Sequence, residues 1–299
     1  METEIGNQLH YFAQYMERGI LGHNQHAYRR SKSTQSAWVD LDIRIQKARD
    51  SVKYVGMILV DMSAAFNLVS KKVIIPKLKE MKVGHFARKL LSSYLTGRRS
   101  RVKIKGTLSV WIDAENGIGE GSVLGPLVFI LTIVCVTIIL ARAVVKLQEI
   151  GYTATTALKP QNDAQIELSE VEFADDVTGL AICDTELQVQ QALQVMADEY
   201  EKYFSAHGLK LNITKFEHIV IGSPCTMKIV VDGREEVKSV KLLGLTFDNT
   251  YSFTQHVDTV LRKMTARKIA NIADENTTRM VTMAIVLFVA NYFPQTQHM

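Results

Sequence analysis

The sequence predicts an α+β fold, an antiparallel sheet backed by helices, and three observations carry that expectation. The stretch Ile166–Phe173 alternates loosely and residues 177–183 are apolar and partly β-branched, so the two read as strands around the turn Phe173-Ala174-Asp175-Asp176. A third apolar run, Tyr54–Val60, has the look of a buried strand and ends in Asp61. Helical periodicity fills long segments before, between and after these strands, an order that suits a sheet with helices on one face.

Taken along the chain, residues 5–20 and 34–50 read as amphipathic helices with the polar segment 22–33 between them. Residues 54–60 form the first strand, and 71–81 and 85–95 are helices joined around Gly84. Residues 101–112 hold two short strands around Lys105-Gly106, and residues 127–150 are helical. The Thr-rich segment 151–163, with one proline, is expected to be a flexible insertion. After the acidic hairpin, Asp184 is the candidate cap of a long helix to about residue 206. Its expected buried stripe is Leu187, Ala192, Val195, Met196, Tyr200 and Phe204. Short strands follow at 217–222, 227–232 and 235–247, with a turn at Asp232-Gly233. Segments 253–272 and 277–292 complete a helical end.

A chain of 299 residues with 47% hydrophobic and 22% charged content is long and apolar enough to bury a large core. Its net charge of +4 is mildly basic, so local patches matter more than the total. Arg29, Arg30 and Lys32 make one patch. Arg98, Arg99, Arg101, Lys103 and Lys105 make another, in which Arg101, Lys103 and Lys105 alternate with Val102 and Ile104 and put a cationic face on one strand. Such a face suits a phosphate backbone or, equally, the protected edge of a sheet. Cys135, Cys183 and Cys225 lie far apart among apolar neighbours, which predicts reduced core thiols rather than zinc ligands. The opening Met1-Glu2-Thr3-Glu4 is acidic and polar, so no secretory leader is expected and the location is expected to be intracellular, nucleus or cytoplasm. Residues 121–141 carry no charge, but Gly125-Pro126 interrupts them, which favours a buried helix over a membrane span.

The chemistry rests on carboxylates. Asp175 and Asp176 sit together at a hairpin tip, where like charges need a cation. Asp61 leaves a buried strand; if that strand neighbours the hairpin, three carboxylates converge and offer hard oxygen ligands for divalent ions. A solvated acidic turn and a helix cap at Asp61 are the competing structural readings.

Seven ordered segments are similar to the reverse transcriptase of non-LTR (LINE-type) retrotransposons. The segment Gln25-His26-Ala27-Tyr28-Arg29-Arg30-Ser31-Lys32-Ser33-Thr34 resembles QxGFRxxxST, and Ile58-Leu59-Val60-Asp61-Met62-Ser63-Ala64-Ala65-Phe66-Asn67 resembles the first catalytic block, usually LDxxxAFD. Residues 95–102 resemble YLxxRxQxV, residues 117–127 resemble GVPQGSVLGPLL, and Phe173-Ala174-Asp175-Asp176 is the family's (Y/F)ADD. Residues 208–215 resemble LxLNxxK, and Val240 to Asp248, with Leu243-Gly244 within it and His256 after it, resembles LGxxxD…H.

The resemblance implies a right-hand polymerase palm with partial fingers and a short helical thumb. It divides the chain into partial fingers (1–53), palm (54–223), primer-grip-like strands (224–250) and a thumb-like end (251–299). It implies an RNA-directed DNA polymerase acting on an RNA template, a DNA primer and a dNTP, with two magnesium ions, or manganese, as cofactors. Asp61, Asp175 and Asp176 are then the catalytic metal ligands. Phe66, Gly121, Ser122, Lys215 and Arg29 serve the incoming nucleotide; Arg98, Arg99, Arg101, Lys103, Leu243 and Gly244 serve nucleic acid. The chain departs from the pattern at Asn67 (usually Asp), Gly119-Glu120 (usually Pro-Gln) and Thr132, Val134 and Cys135 (usually Tyr, Asn and Asp), and it lacks the upstream fingers segment, as an N-terminally truncated copy does. The alternative expectation is a decayed, non-catalytic remnant that at most binds nucleic acid.

Overall fold

Strand β1 (Tyr54–Val60) is buried along nearly its whole length because it lies inside a five-stranded sheet. The computed structural model describes residues 22–62, 65–114, 116–118, 125–133, 136–209, 211–212, 216–222 and 227–270. The helices expected over 5–20 and 277–292 lie outside these residues, as do Cys135 and Cys225. The strand order is β6 (Ala154–Thr156), β7 (Ile166–Phe173), β8 (Asp176–Cys183), β1, β9 (Glu217–Ile221). All neighbours are antiparallel except β6 and β7, which run parallel. The segment expected to be a flexible insertion therefore supplies an edge strand, held by pairs such as Ala154 with Ile166.

Both faces of the sheet are covered, not one. On the first face lie α6 (Val136–Glu149) and α7 (Glu186–Ala206), with Leu193, Met196, Tyr200 and Phe204 of α7 packed on Ile58, Val60, Val177 and Ala181. On the second face, α1 (Thr34–Asp50) lays Trp38, Leu41 and Ile45 against Val55, Met57, Leu59 and Leu180. Burial of each such side chain contributes about 1.5–3 kcal/mol. Between β1 and the ribbon described below run α2 (Ala65–Leu68), α3 (Lys71–Glu80) and α4 (His85–Tyr94). Two small antiparallel pairs follow β9. One joins β10 (Val230–Val231) to β11 (Arg234–Glu235) around Asp232-Gly233, where a turn is expected. The other, β12 (Ser239–Leu242) with β13 (Leu245–Asp248), closes the second layer through Val240 and Phe247. Trp38 meets Phe247 edge-on with ring centroids 5.6 Å apart.

Local signals explain the helix ends. Ser33 caps α1 in a capping box with Ser36, and Thr185 caps α7 in one with Gln188. Thr185 takes the role expected of Asp184, whose carboxylate instead pairs with Lys53 Nζ at 3.0 Å. In α7 the predicted Ala192, Met196, Tyr200 and Phe204 are buried and Val195 is half-buried, but Leu187 is exposed, the apolar core-facing residues beginning at Val189. The apolar stretch Val128–Glu149 is long and apolar enough to cross a membrane, and its core-facing residues Val128, Phe129, Leu131, Ile139, Ala143 and Leu147 are buried. α5 (Gly125–Ile133) and α6 thus owe their apolarity to the core they build.

Close approach of α7 to the sheet depends on small residues. Cβ atoms added at Gly56 and Gly179 would stand 2.6 Å from Val189 Cγ1 and 2.4 Å from Met196 Cε, respectively. Gly56 faces Ala181 across the β1–β8 pairing, so two small residues together form the seat for the helix.

Candidate active site

Pairing register brings two of the predicted carboxylates together. Leu59 pairs with Thr178 and Val60 with Val177. One step further along both strands stand Asp61 and Asp176, on the face that carries Leu59 and Thr178. Both line a cavity of about 270 Å³, together with Glu217, Lys241, Leu242 and Leu243. Asp175 occupies the turn next door and is half-buried. Among the described residues, no three His, Cys, Asp or Glu side chains are grouped as a ready-made metal ligand set.

Asp61 is oriented by a segment distant in sequence. Asn212 Nδ2 donates to Asp61 Oδ2 at 3.1 Å, and Asn212 N donates to Asp61 O at 2.8 Å. A bridge between Met62 and Leu211 fixes the two segments side by side. The carboxylate is thereby oriented at the strand end, where Asp61 lines the cavity.

The acidic hairpin is a two-residue turn, since Phe173 pairs with Asp176 and only Ala174 and Asp175 lie between. Ala174 has φ of 56°, a left-handed conformation that costs an alanine about 1 kcal/mol. The hairpin of β12 and β13 has the same character: Leu243 (φ 46°) and Gly244 (φ 92°) form its turn, and Leu243 supplies a wall of the cavity. Lys241, exposed on β12, also lines this wall, and the sequence reading missed it.

The loop around Gln25 braces the acidic hairpin from the side. Gln25 is buried; its Oε1 accepts from Ala174 N at 3.2 Å and Ala27 N at 2.8 Å, and its Nε2 donates to Glu172 Oε2 at 3.2 Å. Burial pushes the Glu172 carboxyl up to about 7 and raises that of neighbouring Glu170 as well. The folded protein therefore holds the Glu172 proton up to about pH 7, whereas the unfolded chain releases it near 4.5. The stability linked to this proton is complete below about pH 4.5 and is lost as pH rises to about 7. Glu172→Gln keeps an acceptor for Gln25 and is expected to flatten the fall in melting temperature between about pH 5 and 7, the window set by this shift. An unchanged pH profile in thermal unfolding contradicts the assignment.

The other predicted residues fall in distinct places. Phe66 is half-buried and stacks on Phe129, with centroids 4.6 Å apart and planes 17° from parallel. Arg29 Nη1 donates to Gly22 O at 2.6 Å and Gln25 O at 3.3 Å, so this guanidinium ties together the bracing loop. Gly121, Ser122 and Lys215 lie outside the described residues.

Residues 98–114 form a ribbon. β2 (Arg99–Ser100) pairs with β5 (Ile112–Asp113), and β3 (Lys103–Ile104) pairs with β4 (Thr107–Leu108). Lys105 sits in the tip turn with φ of 47°, not on the strand face expected of it. The Arg101 guanidinium lies 4.3 Å over the exposed Trp111 ring, and Arg99 Nε pairs with Asp113 Oδ1 at 3.1 Å. Val102, Ile104, Val110 and Ile112 are all exposed too. The root of the ribbon is tied through residues 117–118 to α2, the short helix after Asp61: Arg98 Nη1 donates to Gly117 O at 2.7 Å, and Ile118 N donates to Phe66 O at 2.8 Å.

Comparison with known proteins adds to this geometry. Residues 5–247 match the sequence family described as reverse transcriptase (RNA-dependent DNA polymerase). The chain is 25% identical over 258 residues to a probable RNA-directed DNA polymerase from transposon BS of Drosophila melanogaster, covering 83% of this chain and 26% of that protein. It is 24% identical to a probable RNA-directed DNA polymerase from transposon X-element of the same organism, covering 84% of this chain and 26% of that protein. The chain thus spans about a quarter of the length of these relatives. Among solved structures, apo telomerase from Candida tropicalis truncated from its C-terminal domain superposes with a TM-score of 0.53 at 13% identity, covering 84% of this chain and 44% of that one. At that identity the likeness concerns the fold, which is that of a polymerase palm.

Proposed function

Because the chain belongs to the reverse transcriptase (RNA-dependent DNA polymerase) family, of the kind carried by LINE-type non-LTR transposons, we propose that it performs nucleotidyl transfer from a dNTP to a primer 3′-hydroxyl on an RNA template. The observation that carries the reading is the shared cavity of Asp61 and Asp176, walled by the Leu243 turn and Lys241. The donor chemistry fits hard divalent cations, because two carboxylates line one cavity with a third in the adjoining turn. Bound magnesium or manganese supplies acidification of the 3′-hydroxyl and neutralisation of phosphate charge. Asp61 and Asp176 would hold the cations, with Asn212 keeping the Asp61 carboxylate oriented and Asp175 in the adjoining turn within the same acidic cluster. The turn at Leu243 positions the primer end, and Lys241 offsets negative charge at the cavity wall; the nucleotide-sugar role of Phe66 rests on the family resemblance, its ring being stacked on Phe129.

The ribbon's Arg98, Arg99, Arg101 and Lys103 guide a nucleic-acid strand away from this site, since the ribbon is anchored through residues 117–118 to the short helix α2 that follows Asp61. Arg101→Ala is expected to weaken single-stranded RNA binding for all sequences alike. It should reduce the slope of log affinity against log salt by about 0.7, the value for one single-strand phosphate contact. An unchanged slope in a fluorescence-anisotropy salt series argues against that role.

Primer extension tests the whole reading. The purified chain, given poly(rA)/oligo(dT), dTTP and magnesium or manganese, is expected to lengthen the primer. Salt-sensitive RNA binding without any extension supports instead a non-catalytic remnant.

A further inference from the structure

We infer that Gln25 is a positioning residue that sets the acidic hairpin, an assignment that rests on the polymerase reading of Asp61, Asp175 and Asp176. The turn needs an external hold: Ala174, a residue with a Cβ, adopts φ of 56° immediately before the two aspartates. One buried side chain supplies that hold. Gln25 Oε1 receives the Ala174 amide at 3.2 Å, across 149 residues of sequence, and the Ala27 amide at 2.8 Å. Gln25 Nε2 is in turn fixed by Glu172 Oε2 at 3.2 Å.

The backbone around Gln25 repeats the attachment. His26 N donates to Glu172 O at 2.8 Å, Glu172 N donates to Asn24 O at 2.9 Å, and Gln25 and Glu172 form a parallel bridge. The segment 24–26 therefore acts as a short extra strand on the last residues of β7, and its central side chain reaches past the strand end to the turn. These hydrogen bonds run to the hairpin itself or within the bracing loop, so the height and twist of the hairpin tip depend on them. An amide side chain of this length serves as acceptor for two amides and donor to one carboxyl at once.

The chemical consequence concerns Asp175 and Asp176. Their carboxylates are carried by the turn that Gln25 pins, and groups that orient metal ligands typically change affinity or activity about 10- to 100-fold when removed. Gln25→Met keeps length and burial while deleting the acceptor. Gln25→Glu combined with Glu172→Gln reverses the side-chain pair: the amide now at position 172 donates, while the carboxylate now at position 25 still accepts from both backbone amides.

The test measures amide exchange at Ala174 to Asp176, manganese affinity by electron paramagnetic resonance, and single-turnover extension, on the full chain. Gln25→Met is expected to speed exchange at these amides at least about tenfold and to weaken manganese binding about tenfold, within the range for orienting groups. It should lower the maximal single-turnover rate with little change in the half-saturating dNTP concentration, and the exchanged pair should recover each quantity to within about threefold of the original, a small part of the loss expected for an orienting group. If Gln25→Met does not fold, Gln25→Ala is read by the same exchange measurement. Unaltered exchange and manganese affinity in Gln25→Met overturn the assignment, as does failure of the exchanged pair to recover them. If Asp61→Asn abolishes manganese binding and Gln25→Met leaves it intact, only the role of Gln25 is refuted. If Asp61→Asn binds manganese and extends primers like the original chain, the polymerase reading itself fails.

Discussion

Asp61→Asn is expected to reduce primer extension by on the order of 10³-fold or more while leaving the fold intact, on the scale of losses at preorganised catalytic groups. The expectation follows from where the carboxylate sits. Asp61 leaves the end of β1, shares its cavity with Asp176, and is held by Asn212 from a neighbouring segment. An asparagine matches its shape but lacks the charge that binds a hard cation. Loss of a single preorganised hydrogen-bond donor at an active site already costs about 10²–10³ in rate, and loss of a full ligand charge costs at least as much. Asp176→Asn should behave alike, and the double variant should be little worse than either, because the two carboxylates act as a unit. Unchanged melting temperature with lost extension is the expected combination. Extension within about tenfold of the original in either single variant, far short of the loss expected at such a group, removes that residue from the site.

The largest expected effect on stability belongs to Gly56→Val. Its Cβ would stand 2.6 Å from Val189 Cγ1 and 3.1 Å from Leu193 Cγ and Cδ1, all on α7. Val189 is β-branched and completely buried, so it has no flexible end that moves aside cheaply. The helix must lift from the centre of the sheet, at a cost of about 3 kcal/mol. In a protein of this size that lowers the melting temperature by roughly 6–12 °C. Gly84→Ala is the matched control, because an added Cβ there meets nothing within 4 Å, and it should be neutral to within about 0.5 kcal/mol. Equal melting temperatures for Gly56→Val and Gly84→Ala contradict the close seat of α7.

Much of this architecture is legible in the amino-acid string because it is local. Tyr54–Val60 and the two strands around Asp175 announce themselves as apolar runs, and α1 and α7 as periodic stretches. The family segments single out Asp61, Asp175 and Asp176 together without any coordinates. The pairing of β1 with β8 is a contact across more than about a hundred residues, and periodicity carries no information about it. The same limit hides β6, whose three residues become a strand only by pairing with β7. It also hides the second covered face, since α1 looks like any amphipathic helix until Trp38 is seen against Leu180 and Phe247. Leu187 misleads because an apolar residue in the first turn fits several helical phases, and the apolar packing against the sheet begins at Val189.

At the site, the polar residues that orient others are the least readable. Gln25 and Asn212 lie within segments that carry the resemblance, yet their partners Ala174 and Asp61 are 149 and 151 residues away. No spacing rule connects such pairs. Lys241 alternates along a short strand like any exposed lysine, and only the cavity singles it out. Arg29 shows the reverse: a cation assigned to substrate spends donors on Gly22 and Gln25 carbonyls within its own loop.

The most direct measurement is an anomalous X-ray difference map from crystals of this chain soaked in manganese. A peak in the cavity within ligating distance of both the Asp61 and Asp176 carboxylates, lost in Asp61→Asn crystals, is the predicted result. Manganese density confined to other surfaces, with those two carboxylates turned away from one another, contradicts it.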